Sequence, residues 1–279
     1  MSGTFLAAPY QQRALLAIVI LGVVAAVVGV HVVLRRMAFV ADAMSHTVLP
    51  GVVVANLLGG PLYAGALVAG VTTAMLLGFP ARARRIGEDA AVAIVLTSFF
   101  ALGVAIVSRG RSFATDLTGF LFGSLLTVDA DDLLLMGIVG GVAIVAMVVF
   151  HKELVLRAFD REAAEAIGLP IARLDLLVDL AVALVIVTAL RAVGTLLAVA
   201  FVITPAATAR RLGLAVVPSM LVAAAIAALC GTVGLAIAHE AGMRADVRVA
   251  PGATVVVLLT SVFLVVAVVA WWRDRVRSA

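Results

Sequence analysis

Nine long apolar segments, separated by short polar stretches, constrain the fold of this chain more than any other feature of its sequence. Each has close to the roughly 20 residues that a helix needs to cross the hydrocarbon core of a bilayer. Hydrophobic residues make up 65% of the 279 residues, charged residues make up 13%, and the mean hydropathy is +1.25. A soluble domain of this length would need far more polar surface. The segments lie at about 14–34, 38–57, 61–79, 88–108, 133–150, 174–190, 193–209, 216–238 and 251–272.

Helices are the form expected for these segments, because backbone groups in lipid must form their hydrogen bonds within the segment. We therefore predict an all-α polytopic membrane protein, a bundle of about nine transmembrane helices in one transmembrane domain over residues 1–279. Only Arg191–Gly194 separates the sixth segment from the seventh, and the second is polar in its first half. Counts of eight or ten spans are therefore alternatives. Met1–Gln12 lacks the basic region of a signal peptide, so we expect no cleavage there.

Basic residues alternate between the two sets of loops that these spans create. One side receives six of the 20 basic residues, namely Arg13, Arg109, Arg111, Arg191, Arg244 and Arg248, and the other side receives the remaining 14. Cytoplasmic loops carry the excess of arginine and lysine. The amino terminus is therefore predicted to lie outside, and the carboxyl terminus in the cytoplasm.

Several functions are excluded by residues that the chain lacks. Lys152 is its only lysine and is not followed by Ser or Thr, so no Walker A loop is present and any ATP must bind to another polypeptide. Cys230 is the only cysteine, which excludes a disulfide framework and a thiolate metal site. The net charge of +4 comes from arginines that mark topology, so we expect no nucleic-acid partner.

Asp42 and His46 are the strongest candidates for a functional site. Ionisable residues at membrane depth are expensive and usually functional. Residues four apart share one helix face, and Ser45 lies three residues from Asp42. Carboxylate and imidazole together suit Zn²⁺, Mn²⁺ or Fe²⁺. The alternatives are an Asp–His pair that joins two helices and a helix cap formed by Asp42.

Proline residues mark two further positions in the predicted spans. Pro50 cannot donate a hydrogen bond to the carbonyl of His46, so in a continuous helix that oxygen would be free to accept from water or to hold a passing cation. Pro205 interrupts the seventh span, with Thr204 and Thr208 beside it. Broken helices line many transport paths, although a kink whose carbonyls accept from threonine hydroxyls is an equal alternative. Ser45, Pro50, Thr204, Pro205 and Thr208 are accordingly predicted to line the pore.

Other ionisable residues are expected to have structural roles. His31 and His151 lie at predicted membrane edges, where we expect solvated or snorkelling side chains. Asp175 and Asp179 lie close to Arg173 near the predicted cytoplasmic face, which predicts an interfacial charge cluster. An intramembrane hydrolase using Ser45 and His46 is excluded because consecutive helix residues point about 100° apart. We therefore expect no enzymatic activity from this chain.

The longest inward-facing polar segment, at about 151–173, is predicted to contain a short helix with small residues. Gly168 would end that helix and Pro170 would prevent its continuation. An ordinary surface linker is the alternative.

Four motifs in order resemble the ABC-3 family of membrane permeases, the transmembrane subunits of bacterial importers for zinc, manganese and iron. The motifs are Leu34–Gly51, Leu117–Leu126, Phe159–Pro170 and the stretch from Arg191 through Ala209. The resemblance extends over nearly the whole chain. It implies a second copy of the permease, a pair of cytoplasmic ATP-binding subunits and an extracytoplasmic metal-binding protein. It also implies that Asp42 and His46 contact the transported metal.

The resemblance further implies that the loop at about 151–173 couples the permease to the ATPase. The residues concerned are Asp160, Glu162, Ala163, Ala164 and Gly168. The predicted function is thus import of a divalent metal by alternating access, with no permanently bound cofactor and with ATP on a partner subunit. A gradient-driven secondary transporter that uses Asp42 as its ion carrier is the alternative. The sequence leaves the choice between manganese, zinc and iron open.

Overall fold

The computed structural model describes residues 8–78, 87–108, 123, 125–245 and 250–278. Within these ranges the regular secondary structure is entirely helical, which confirms the predicted all-α class. The helices are α1 (Pro9–Leu34), α2 (Ala38–Thr47), α3 (Leu49–Leu57), α4 (Leu62–Gly78), α5 (Glu88–Val107), α6 (Ala130–Val149), α7 (His151–Phe159), α8 (Arg161–Ala166), α9 (Ile171–Arg211), α10 (Val216–Ala245) and α11 (Pro251–Ser278), with a short 3-10 helix at Leu125–Thr127.

Every predicted span contains helix, but seven segments of the described chain, not nine, are long and apolar enough by themselves to cross a membrane. These seven are Pro9–Leu34, Ala38–Leu57, Asp89–Val107, Ala130–Val149, Ala192–Arg211, Val216–Gly242 and Pro251–Val276. Of the other two predicted spans, α4 is apolar but has 17 residues. The first half of α9 carries three charged residues, Arg173, Asp175 and Asp179.

The long helix α9 reverses direction at Gly194. A straight helix of its 41 residues would be about 60 Å long, roughly twice the hydrocarbon thickness of a bilayer. Gly194 has φ 73° and ψ 172°, which an α-helix cannot accommodate. On one side of it Asp175 pairs with Arg35, and on the other Ala206 lies against Gly29. From 175 to 206 a straight helix would rise about 46 Å, whereas from 29 to 35 α1 rises only about 9 Å. The sixth and seventh predicted spans are therefore the two arms of a helical hairpin.

The same contacts define one end of the bundle, which we call the Arg35 end. It contains the turn between α1 and α2, both ends of α9, and α7, whose Arg157 also pairs with Asp175. In that turn Arg36 takes a positive φ of 58°. Asp42 and His46 lie on α2, which begins directly after this turn.

The core forms around α1 and α9, and small residues let these two helices approach closely. A Cβ added at Gly29 would lie 1.9 Å from the backbone oxygen of Val202. In lipid, where no hydrophobic force brings helices together, such backbone approaches supply much of the packing energy. α1 also packs against α6 and α10, whereas α2 lies between α9 and α5.

A second close approach joins α3 to α4. Cβ atoms added at Gly51 and Gly65 would each lie 2.1 Å from the other residue's backbone oxygen. Ala69 and Ala55 lie beside the same contact, 2.7 and 2.6 Å from those added atoms. This contact fixes α3, and with it the proline-containing turn that follows His46.

α6 begins at Ala130, about three residues before the predicted start of its span. The predicted span begins at about 133, after Asp129, Asp131 and Asp132. Instead, Asp129 is the N-cap: its carboxylate accepts from the N–H of Asp132 over 2.8 Å, and its own N–H donates to the Asp132 carboxylate over 3.3 Å. Acidic residues here satisfy free N–H groups of the first turn.

Candidate metal-contact site

Asp42 and His46 lie one turn apart on α2, as predicted. Both are half-buried, whereas Ala41, Ala43 and Met44 between and beside them are buried. The apolar face of α2 therefore packs into the bundle, and the face with the carboxylate and the imidazole stays partly open. Helix geometry places side chains at this spacing about 5–6 Å apart at Cβ.

The surroundings of the two side chains leave their polar atoms available. The ring of His46 meets Phe100 of α5 edge-on, with the ring centroids 6.1 Å apart and the ring planes at 86°. Among the described residues, neither the Asp42 carboxylate nor the His46 ring has a hydrogen bond or an ion pair. No group of three or more His, Cys, Asp and Glu side chains in the described chain could hold a metal ion. The pair therefore offers two ligands and not a closed site.

The alternative that Asp42 caps a helix is not supported by the position of α2. The helix begins at Ala38, its N-cap is Met37, and Met37 makes no side-chain capping hydrogen bond. Asp42 lies beyond the first turn, out of reach of the free N–H groups there. Both residues belong to one helix, and among the described residues neither has a polar partner on another helix, so the described contacts give no support to an Asp–His pair that joins two helices.

The turn after His46 differs from the continuous helix assumed for Pro50. α2 ends at Thr47 and α3 begins at Leu49, with Val48 as the cap of both. A free His46 carbonyl was predicted for a continuous helix, and because the helix ends at Thr47 that condition is not met. Pro50 is buried in the first turn of α3, where its missing N–H costs nothing. The proline thus breaks the second span instead of only weakening it.

Ser45 and the residues around Pro205 are placed by the structure in packed surroundings. Ser45 is 1% exposed and its hydroxyl donates to the Asp42 carbonyl over 2.7 Å. Thr208 is fully buried and donates to the Thr204 carbonyl over 2.7 Å, whereas the carbonyl that Pro205 leaves without a helix donor is that of Phe201. Pro205 is buried and Thr204 is half-buried. That these residues line a pore stays a prediction.

The predicted short helix in the polar segment is present as α8. The Asp160 carboxylate caps it by accepting from the N–H of Ala163 over 2.9 Å. At its other end Gly168 takes φ 82°, and the N–H groups of Gly168 and Leu169 donate back to the carbonyls of Glu165 and Ala164. This glycine-ended pattern is a Schellman motif. The predicted end of the helix at Gly168 is confirmed, and the Asp160 cap at its start is an additional feature.

Within α8 the predicted coupling residues divide into two groups. Asp160 and Gly168 fix the two ends, and Ala164 is fully buried. Glu162 is exposed and Ala163 is half-buried. The flanking Phe159 and Ile167 are 65% and 67% exposed, and the sequence analysis did not select them.

Two groups of charged and polar residues differ from the expected solvated edges. His31 is fully buried and its ring meets that of His151, with centroids 5.7 Å apart, so the prediction of a solvated His31 was wrong. Asp175 does belong to a charge cluster, as predicted, but its partners are Arg35 and Arg157.

The predicted outer motif Leu117–Leu126 lies largely outside the described residues. Its Gly123 is described and has a φ of 65°.

Comparison with known proteins identifies the family of this chain. Residues 7–270 match the model of the ABC 3 transport family. The chain is 35% identical over 256 residues to the manganese import system permease protein ScaB of Streptococcus gordonii, covering 92% of this chain and 90% of that protein. It is 36% identical over 199 residues to the chelated iron transport system membrane protein YfeD of Yersinia pestis, covering 71% and 66% of the two chains.

A solved structure agrees with these matches. PsaBC from Streptococcus pneumoniae in complex with Fab contains a chain that superposes with a TM-score of 0.80 and 34% sequence identity. The superposition covers 93% of this chain and 91% of that one. The relatives are transport proteins and not enzymes, as expected for this chain. The resemblance inferred from four motifs is thus confirmed over almost the whole sequence, and the chain belongs to the ABC 3 transport family of multi-pass membrane permeases.

Proposed function

We propose that this chain is the permease subunit of an ATP-driven importer for a divalent transition metal, and that Asp42 and His46 contact the ion as it crosses. The observation that carries the proposal is the open polar face of α2. Two side chains of metal-ligating type lie there with no described polar partner, and the other residues from Val40 to Thr47 are buried. A half-buried carboxylate in a membrane protein is costly unless it meets a cation or water.

The two-ligand geometry suits an ion in transit better than an ion held permanently. Transport requires ligation strong enough to replace water and weak enough to release. One carboxylate and one imidazole per chain leave most of the coordination shell to water, or to the same pair on a second copy of the permease. A homodimer with the two α2 helices facing a shared path would provide four such ligands.

Manganese or iron is the proposed cargo. The named functions of the S. gordonii and Y. pestis relatives are manganese import and chelated iron transport. Oxygen and nitrogen ligands also bind Zn²⁺, which the affinity order favours over Mn²⁺ and Fe²⁺ at such a site. Selection against zinc would therefore lie in the extracytoplasmic binding protein and in metal availability.

The Arg35 end of the bundle is proposed to face the cytoplasm. This is the side that receives 14 of the 20 basic residues and contains α8. Counting α4 and the two arms of α9 as separate crossings gives nine spans. The amino terminus then lies outside the bacterial cytoplasmic membrane and the carboxyl terminus inside.

The ATP-binding subunits are proposed to dock on α8. Exposed Phe159 and Ile167 flank that helix and supply apolar anchors, while Asp160 and Gly168 hold its ends. The chain has no nucleotide-binding motif of its own, so ATP belongs to those partners. Movement at α8 would open the path to alternate sides of the membrane, and the turn at Val48 between α2 and α3 provides a break beside His46.

Uptake by proteoliposomes tests the proposal. The permease is reconstituted with its ATP-binding subunits and its binding protein, and Mn²⁺ and Fe²⁺ entry is measured with and without ATP. We expect ATP-dependent uptake, reduced at least about tenfold by Asp42→Ala and by His46→Ala, because even the loss of an outer partner of a metal ligand typically costs that much. Asp131→Ala, at an exposed carboxylate in the first turn of α6, is the matched control.

Two outcomes would overturn the proposal. Uptake that needs an ion gradient and not ATP would indicate the secondary-transporter alternative. Wild-type uptake by both site variants, at normal membrane content, would remove the metal contact from Asp42 and His46.

A further inference from the structure

One carboxylate at the Arg35 end joins three helices. Asp175, near the start of α9, pairs through one oxygen with Arg35 at the end of α1. Arg157 of α7 approaches that oxygen to 2.7 Å with Nε and donates from Nη2 to the other oxygen over 3.1 Å. The exposed fractions of the side chains are 1% for Arg35, 12% for Arg157 and 16% for Asp175. Charge-assisted bonds so sheltered from water are among the stronger polar contacts in a protein.

The two arginines lie beside the two regions that the proposed transport cycle must connect. Arg157 is in the last turn of α7, three residues before Asp160, which caps α8. Arg35 caps the C-terminal end of α1. Three residues later α2 begins, which is the helix that contains Asp42 and His46. Asp175 therefore provides a polar connection between the segment that carries the proposed docking helix and the segment that carries the metal contact.

The packing around α8 determines how a displacement of α8 reaches the rest of the bundle. Ala164 is the one buried residue of α8, so α8 makes few packing contacts of its own with the bundle. α7 is anchored better, through buried Leu154, through the contact of His151 with His31 of α1, and through Arg157. A displacement of α8 would reach the bundle mainly through α7, and Arg157 is the charged anchor at the end of α7 that lies next to α8.

We infer that Asp175 is a positioning residue that couples movement of α8 to α2, and so to the Asp42–His46 pair. This inference rests on the proposed function. If α7 shifts, the guanidinium of Arg157 shifts with it, and Asp175 must follow or release Arg35. Either response changes the turn that sets the start of α2. Coupling requires such a contiguous element with two arrangements, and a buried three-helix ion pair can supply one.

The test measures Mn²⁺ taken up per ATP hydrolysed by the complete transporter in proteoliposomes. Asp175→Asn keeps the shape of the side chain and removes its charge, and Arg157→Gln breaks only the link to α7. We expect each variant to keep ATP hydrolysis near the wild-type rate and to lower the Mn²⁺-to-ATP ratio by about fivefold or more, the lower limit of typical coupling between sites. Asp175→Glu, which keeps the charge, should recover part of the ratio.

Arg273→Gln is the matched control, because it removes an ion pair with Asp274 near the end of α11, away from α8, whose side chains are 43% and 70% exposed. It should leave the ratio unchanged. The inference is overturned if both test variants keep the wild-type ratio, if uptake and hydrolysis fall together, or if neither variant assembles into a transporter. Absence of ATP-dependent uptake of both Mn²⁺ and Fe²⁺ by the wild-type transporter would instead refute the proposed function.

Discussion

Substituting Gly51 by Ala should push α3 away from α4 and destabilise the protein. The added Cβ would lie 2.1 Å from the backbone oxygen of Gly65 and 2.7 Å from the Cβ of Ala69. Real Cβ atoms essentially never approach within 3.0 Å, so the helices must separate by at least 0.9 Å, the difference between 2.1 and 3.0 Å. The obstacle is backbone and cannot rotate away.

The expected cost follows from two opposing effects. Overpacking of a close contact costs about 1–3 kcal/mol, whereas replacing Gly by Ala inside a helix gains up to about 1 kcal/mol in propensity. We therefore expect a net loss of roughly 1–2 kcal/mol. The apparent Tm of the detergent-solubilised protein should fall by about 2–4 °C for each kcal/mol.

Gly65→Ala should behave in the same way, because its Cβ meets the Gly51 oxygen at the same 2.1 Å. Once one substitution has separated the helices, the second meets a wider gap, so the double variant should lose less than the sum of the two. Gly78→Ala on α4, where an added Cβ meets nothing within 4 Å, is the control. An unchanged Tm in Gly51→Ala, or strictly additive losses in the double variant, would refute the reasoning.

Three further substitutions test other elements of the fold. Gly194→Ala should destabilise the α9 hairpin by about 1–3 kcal/mol, because φ 73° with ψ 172° is a conformation that only glycine adopts readily; a wild-type Tm would contradict the reversal there. Asp129→Ala should cost about 1 kcal/mol by removing the α6 cap, and Asp129→Ser should recover most of it in the same melting experiment. Asp160→Ala should weaken binding of the ATP-binding subunits, because α8 loses its cap, whereas Asp160→Ser should keep both the cap and the binding. Co-purification measures the binding. Equal binding by both variants and the wild type would count against α8 as the docking helix.

Local features of the fold were predictable from the sequence because their causes lie within a few residues. The bounds of α8 follow from Asp160, Gly168 and Pro170, whose effects act over one turn. The break after His46 was predicted in part. Pro50 indicated a weakened helix, but the end of α2 at Thr47 also depends on how α3 packs against α4. The acidic start of α6 was missed because loop aspartates and capping aspartates look alike without the backbone.

Contacts between distant residues could not be predicted in this way. Asp175 was expected near Arg173, its neighbour in sequence, yet it pairs with Arg35 and Arg157, which only the folded bundle brings together. The same holds for Phe100, which lies 54 residues from the His46 ring that it touches. A nearly uniform apolar sequence contains little information about which helix faces which, because in lipid the packing depends on small residues spread over many helices.

Pulsed EPR of Mn²⁺ bound to the complete transporter tests most directly whether Asp42 and His46 contact the metal. The chain has four histidines, so nitrogen coupling to Mn²⁺ can be assigned by substitution. We predict a nitrogen signal in the wild type that disappears in His46→Ala, persists in His151→Ala and weakens in Asp42→Ala as bound Mn²⁺ is lost. A nitrogen signal of full strength in His46→Ala would contradict the proposed metal contact.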